Sequence, residues 1–175
     1  MNWTDMLTSQ AKMAYQAARG LVEMVDDDQL DWAPSSGDNW LDAGQLCRHV
    51  SNACGNTARG FVTGAWDEGD HGISPDWKPG EGEMMPPASA YLRFDREEAL
   101  AALAADEETF FKTLAEAGEA RLDGDRLTAP WGGPELTLGE HLLTCVQHLN
   151  THKAQLFYYL KLMGKPVNTM SLWAM

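Results

Sequence analysis

Apolar residues recur at the i, i+3, i+4 spacing of amphipathic helices in four segments of the chain. Polar connections rich in Gly and Pro, which favour turns and end helices, separate these segments. No segment alternates apolar and polar residues over a length that would indicate a strand. The predicted helices cover residues 5–25, 42–61, 95–118 and 137–163.

Capping signals mark the starts of the last three helices. In a capping box, the first side chain accepts a hydrogen bond from the backbone N–H three residues later, and the side chain at that later position bonds back. The predicted pairs are Asp42 with Gln45, Asp95 with Glu98, and Thr137 with Glu140. Gly164 and Pro166 should end the fourth helix.

These elements predict an all-α fold. Four helices with one apolar face each can bury those faces against one another as a four-helix bundle. Residues 64–94 join the second and third helices, and we expect this segment to be a long crossover connection at one end of the bundle. A chain of 175 residues fits one domain, so we predict a single domain over residues 1–175.

The fourth helix carries unusual residues on its apolar stripe. At roughly 100° per residue, His141, Cys145, His148 and His152 share this face. A buried neutral imidazole has one donor and one acceptor, and leaving either unpaired costs roughly 1–3 kcal/mol. One divalent metal ion could be the partner of two of these imidazoles, since His148 and His152 are spaced so that both can reach the same ion. The alternative is a pair of core or surface histidines with ordinary hydrogen-bond partners.

The charge of the chain limits its partners. Lys and Arg number 13 and Asp and Glu number 26, which gives a net charge of −13 with neutral histidines. Such a field repels phosphate backbones and anionic lipids, so we expect binding neither to nucleic acid nor to membranes. The three cysteines are odd in number and lie in helical patterns, and the chain opens without a signal-peptide pattern. Reduced thiols in the cytoplasm fit these features best.

Two short signatures resemble the DinB/YfiT-like superfamily of small four-helix metalloproteins. The first is Asn39 and Trp40, followed by the second helix with the sequence Leu-Cys-Arg-His ending at His49. The second is the segment 148–156, which reads HLNTHKAQL and places Gln155 at the polar position that commonly follows the histidine pair. The resemblance covers nearly the whole chain in the order of its elements.

The resemblance implies a metal site. It assigns His49, His148 and His152 as ligands of a divalent ion, zinc or nickel, with a coordination position left open. Several relatives depend on a small thiol such as glutathione, mycothiol or bacillithiol. Three nitrogen ligands with an open position are typical of catalytic rather than structural zinc. The alternatives are polar core groups with satisfied hydrogen bonds, or a metal site without chemistry.

The remaining histidines and the stripe cysteine have other predicted roles. His141 and Cys145 are rival ligands, but they lie nearer the start of the helix, so we expect them to line or support the site instead. His71, in the long connection, and His141 are the candidates for a general acid or base, and for His71 a solvated loop histidine is the alternative.

Two classes of function follow. The preferred one is an enzyme in which the metal lowers the pKa of a bound water to about 7, or deprotonates a thiol. This chemistry predicts a metal-dependent hydrolase or a thiol S-transferase that acts on a small-molecule substrate. The competing class is a non-catalytic, metal-stabilised bundle that binds a small ligand or a protein partner.

The first helix offers a surface for self-association. Met6, Met13 and Met24 lie off its main core path, and methionine suits contacts that must adapt. Since closed dimers are the commonest assembly, we predict a homodimer that uses the first helix or the long connection. The alternative is that these methionines widen the buried face of a monomer.

Overall fold

The structure is a computed structural model that describes residues 2–66, 72–78, 80 and 86–175. The described chain is largely helical, as the sequence predicts. Its α-helices are α1 Trp3–Val22, α2 Ala43–Ser51, α3 Gly55–Thr63, α4 Arg96–Gly124, α5 Leu138–Leu162 and α6 Thr169–Trp173. The strands β1 Arg126–Leu127 and β2 Leu136–Thr137 form a small antiparallel pair. None of the described helices has both the length and the apolar character needed to cross a membrane.

Local sequence accounts for three of the helix starts. The predicted capping boxes of α2, α4 and α5 are all present, with both reciprocal hydrogen bonds in each. Each box satisfies N–H groups that have no partner within the first turn of a helix. In each box the capping side chain accepts a hydrogen bond from the backbone N–H three residues later. The distances are 2.9 Å for Asp42, 2.8 Å for Asp95 and 3.2 Å for Thr137.

The second predicted helix is divided into α2 and α3. The chain leaves the helical path after Ser51 and resumes at Gly55, with Cys54 at φ −128° and ψ −62°. At the break, the backbone N–H groups of Cys54 and Gly55 donate to the carboxylate of Asp106 on α4. Because these donors are bonded to another helix, they are not available to carbonyl groups of the preceding turn. A continuous helix over 42–61 was therefore a wrong prediction.

The third helix is interrupted near its predicted end. Gly118 has φ 67° and ψ 162°, a conformation outside the helical region, but the helix resumes and continues to Gly124. The following segment, predicted as a loop, contains β1 and β2. Two-residue strands are too short to produce an alternating pattern, so the sequence does not reveal them.

α4 and α5 are the helices around which the others pack. α5 contacts α1, α2, α3 and α4, and α4 contacts the same first three helices. Their shared apolar surface forms a continuous core. The largest fully buried side chains include Leu7, Tyr15, Leu21, Leu46, Leu103, Phe110, Leu142, Leu149 and Leu156. The contact between α2 and α5 brings the histidines of these two helices to the same place.

The C-terminal segment packs back onto the helices. α6 contacts α1 and α5, and the ammonium group of Lys153 donates to the carbonyl oxygen of Leu172 at 3.0 Å. The same ammonium lies 5.2 Å from the ring centre of Trp173. The tail is thus attached to α5 one residue beyond His152.

Close packing at the start of α5 leads to a prediction about Gly139. A Cβ atom at this position would lie 2.5 Å from the ring of Trp3 and 2.9 Å from the carbonyl oxygen of Leu122. We expect Gly139→Ala to lower the free energy of unfolding by about 1–3 kcal/mol, because the surrounding groups must shift. Gly20→Ala is the matched control, since a Cβ atom there would have no atom within 4 Å beyond its own stretch of helix, and it should raise that free energy by about 0.5–1 kcal/mol. Urea unfolding measures both; equal stability of the two variants would contradict the packing.

Candidate metal centre

Three of the five histidines converge between α2 and α5. His49 comes from α2, and His148 and His152 come from successive turns of α5. One ring nitrogen from each lies within 4.8 Å of the others, which makes this a group that could hold a metal ion. The group is partly buried, and His148 is its most accessible member. The predicted pair and the predicted third histidine are therefore neighbours.

The separation of the nitrogens suits a small cation. Nε2 of His49 lies 3.0 Å from Nε2 of His152. Two nitrogen ligands at 2.0–2.1 Å from a tetrahedral zinc would lie roughly 3.3 Å apart. The ring centre of His148 lies 5.3 Å from that of His49 and 4.5 Å from that of His152. A slight separation of the His49 and His152 rings would admit an ion.

Hydrogen bonds at Nδ1 prepare two of the rings for this role. Nδ1–H of His148 donates to the carbonyl oxygen of Ala53 at 3.0 Å. Nδ1–H of His152 donates to Oε1 of Gln155 at 2.7 Å. When Nδ1 of a neutral imidazole carries the proton, Nε2 keeps the lone pair that a metal needs. The donor set thus fits a divalent metal, and Gln155 acts at the polar position noted in the sequence.

Burial favours the neutral form of all three imidazoles. It lowers the pKa of His49 to about 3, with further contributions from His152 and His148. The pKa of His148 and the pKa of His152 are also lowered, mainly by burial. Since only the neutral ring can bind a metal, these shifts keep the three imidazoles at neutral pH in the form that a metal would need.

The lowered pKa values predict how the metal-free protein responds to acid. Above about pH 6.5 these imidazoles are neutral in both the folded and the unfolded chain. Below it the unfolded chain takes up protons that the folded chain resists, so stability falls as pH drops from about 6.5 towards the lowered pKa values. For His49 the loss should be on the order of 3 kcal/mol. Urea unfolding of chelator-treated protein across this range measures it.

The control for the acid response is His49→Leu, which removes the group with the largest shift. Its stability should depend less steeply on pH than that of the wild-type protein in the same range. Identical slopes would show that His49 has an ordinary pKa in the folded chain.

The other predicted residues lie elsewhere. His141 is 4% exposed, its Nε2–H donates to the carbonyl oxygen of Leu127 at 2.8 Å, and its ring stacks on Phe61 at 4.2 Å. It joins α5 to β1 and is not a member of the metal-binding group. Cys145 is buried too, and burial raises the pKa of its thiol to about 12. His71 lies outside the described residues.

The residues before α2 are tied to α5 and to the long connection. The indole ring of Trp40 lies 6.4 Å from the ring of Tyr159, whose hydroxyl donates to the carbonyl oxygen of Leu41 at 2.8 Å. The side-chain oxygen of Asn39 accepts from the N–H of Ala88 at 2.7 Å. These contacts fix the entry into α2, and therefore the position of His49 relative to α5.

Sequence reasoning missed two residues at the site. Tyr91, in the long connection, places its ring edge-on to His49 with the centres 6.4 Å apart. Asp106 on α4 accepts a hydrogen bond from the N–H of Cys54, in the turn between α2 and α3. The carbonyl oxygen of the preceding residue, Ala53, is the one that His148 contacts. Tyr91 gives no local signal. Asp106 could have been noticed, because it lies between Leu103 and Phe110 on the apolar face of its helix, where a carboxylate is unexpected.

The sequence and the fold both have relatives among known proteins. Residues 10–156 match the DinB superfamily. A crystal structure of a proposed DinB-family member from Exiguobacterium sibiricum 255-15, at 1.70 Å resolution, aligns with a TM-score of 0.65 over 98% of each chain, at 19% identity. That likeness shows a shared fold. The comparison with curated proteins found no match. The resemblance read from the sequence is confirmed, and the chain belongs to the DinB superfamily.

Proposed function

We propose that the chain binds one divalent ion, zinc or nickel, through His49, His148 and His152. The observation that supports this most directly is the convergence of their ring nitrogens within 4.8 Å. In two of the rings Nδ1–H donates to a protein acceptor, so that Nε2 keeps the lone pair that a metal needs. Three protein ligands leave a position open, and the accessibility of His148 lets a small molecule approach it.

We further propose that the ion serves catalysis on a small molecule. When bound, it would supply Lewis-acid chemistry that activates water for hydrolysis, or a thiol such as glutathione, mycothiol or bacillithiol for transfer. The chain itself orients the ligands: the carbonyl of Ala53 holds one imidazole and Gln155 holds another. Tyr91 limits the space beside His49.

A specific observation favours the competing, non-catalytic function. In the described part of the chain, the hydrogen bonds of the three imidazoles go to a backbone carbonyl, to an amide and to each other. None of them goes to a carboxylate, so no general base is evident among these contacts. A metal-stabilised protein that binds a small ligand or a protein partner would need no such group.

An activity screen separates the two functions. Zinc- and nickel-loaded protein would be tested for hydrolysis of small esters and amides, and for conjugation of small thiols to an electrophile. If the protein is an enzyme, we expect metal-dependent turnover that is lost in His152→Ala. Stoichiometric metal without turnover on either substrate class would support the non-catalytic function instead.

We also propose the finer architecture and assembly that the sequence suggested. In that arrangement α1, the α2–α3 pair, α4 and α5 form a four-helix bundle, residues 64–94 are the crossover connection, and residues 1–175 are a single domain. Met13 is 48% exposed, which suits a contact between copies, whereas Met24 packs against the core. The homodimer stays a prediction, and sedimentation at micromolar concentration would reveal a species of single-chain mass if it is wrong.

A further inference from the structure

A carboxylate from α4 holds the turn that separates α2 from α3. Asp106 is 2% exposed. Its Oδ2 accepts from the N–H of Cys54 at 3.3 Å and from the N–H of Gly55 at 2.9 Å. Its Oδ1 accepts from the N–H of Asn56 at 3.1 Å. Because the N-cap residue of α3 makes no side-chain capping bond, Asp106 provides, from another helix, the cap that this first turn needs.

Two further contacts fix Asp106 against the turn. The hydroxyl of Tyr15 donates to Oδ2 of Asp106 at 2.8 Å, so this oxygen accepts three hydrogen bonds. A Cβ atom at Gly55 would lie 2.0 Å from the backbone oxygen of Asp106. Only glycine permits so close an approach of the turn to α4. The backbone of the turn therefore has little freedom to move relative to α4.

The peptide between Ala53 and Cys54 connects this cap to the candidate metal centre. Its N–H donates to Asp106, and its carbonyl oxygen accepts from Nδ1–H of His148 at 3.0 Å. In a trans peptide the N–H and the C=O lie in one plane and point in opposite directions, and the described residues contain no cis peptide bond. The same rigid unit thus makes both hydrogen bonds, so the group that holds the N–H also sets the direction of the carbonyl.

We propose that Asp106 is a positioning residue for His148 and acts through the Ala53–Cys54 peptide. The carboxylate fixes the peptide plane, the carbonyl keeps the ring proton on Nδ1, and Nε2 retains its lone pair. The consequence for metal affinity rests on the proposed metal-binding function, but the effect on the ring proton does not. Carboxylates usually orient metal-binding histidines by direct contact; here a peptide group stands between them.

The test compares Asp106→Ala with three other variants. NMR of protein with nitrogen-labelled histidine, free of metal, shows which ring nitrogen of His148 carries the proton. Wild-type protein should have it on Nδ1, and Asp106→Ala should give a mixture with the Nε2-protonated form. Asp106→Asn should restore the wild-type state in large part, because its amide oxygen can accept from Cys54 and Gly55. Zinc affinity should fall about tenfold in Asp106→Ala.

Two controls exclude a general loss of stability. Tyr15→Phe removes one donor to Asp106 and leaves the three backbone bonds of the turn in place. Leu114→Ala creates a cavity at a buried position on the same helix, two turns beyond Asp106. Both should melt at lower temperature than the wild type with the His148 proton still on Nδ1. A shift of the proton in Leu114→Ala equal to that in Asp106→Ala would overturn the proposal.

The outcomes also separate this proposal from the proposed function. An unchanged Nδ1 proton in Asp106→Ala overturns the positioning role, whether or not the protein binds zinc. A shifted proton with no zinc binding by the wild type overturns the metal function and leaves the positioning role standing. If Asp106→Ala does not fold, hydrogen exchange of the wild type decides. The amide of Cys54, which donates to Asp106, should be protected, and exchange of that amide at the rate of an unstructured peptide would overturn the proposal.

Discussion

The His148→Ala, His152→Ala double variant is expected to retain no stoichiometric zinc or nickel, whereas the wild-type protein should hold about one ion per chain. The two substitutions remove both histidines that α5 contributes to the proposed site. His49 would then be the only imidazole left in the group, and a single imidazole does not compete with water and buffer for a divalent ion. Metal analysis of both proteins after loading and dialysis measures the difference.

The control for this loss is His141→Gln. His141 lies on the same helix, but its imidazole is bonded to the carbonyl oxygen of Leu127 and stacked on Phe61. This variant should bind metal like the wild type even if it is less stable. Stoichiometric metal in the double variant would show that the ligands are not those of the triad. Loss of metal in His141→Gln without loss of folding would show that the site extends towards β1.

The fold could be predicted where its signals are local. The capping boxes at Asp42, Asp95 and Thr137 are all present, because each depends on residues only three positions apart. The division of the second helix could not be predicted in this way. It depends on a carboxylate more than 50 residues further along the chain, at Asp106, and periodicity alone does not show where such a group will lie.

The candidate site shows the same division between local and distant causes. The spacing of His148 and His152 on one helix is enough to bring them together. Helical periodicity also places His141 and Cys145 on the same face of α5. It does not show which turns of that face lie against α2, so it cannot distinguish candidate metal ligands from residues that only share the face. In the structure the first turns of α5 face Phe61 and β1, and the middle turns face α2. His49 could be identified as the third candidate ligand only from the family resemblance. The hydrogen bond between His148 and the carbonyl of Ala53 could be identified only from the structure.

Bound metal should stabilise the protein strongly, which is the second large effect we expect. If zinc binds only the folded chain, a free concentration of 1,000 times Kd raises the free energy of unfolding by about 4 kcal/mol. The melting temperature should therefore rise with added zinc and fall with chelator at about pH 7.5, where all three imidazoles are neutral. The His148→Ala, His152→Ala variant should respond to neither. Scanning calorimetry at several zinc concentrations makes the measurement.

The pH dependence of this stabilisation tests the environment of the three histidines. An ordinary histidine gains a proton below about pH 6.5 and then no longer binds metal. Burial lowers the pKa of His49 to about 3 and also lowers the pKa of His148 and of His152. The folded chain therefore keeps its binding form in mild acid, and the zinc-dependent rise in melting temperature should persist at about pH 6. It should disappear as the pH falls further towards the lowered pKa values. A rise already lost at about pH 6 would mean that the imidazoles are open to water in solution.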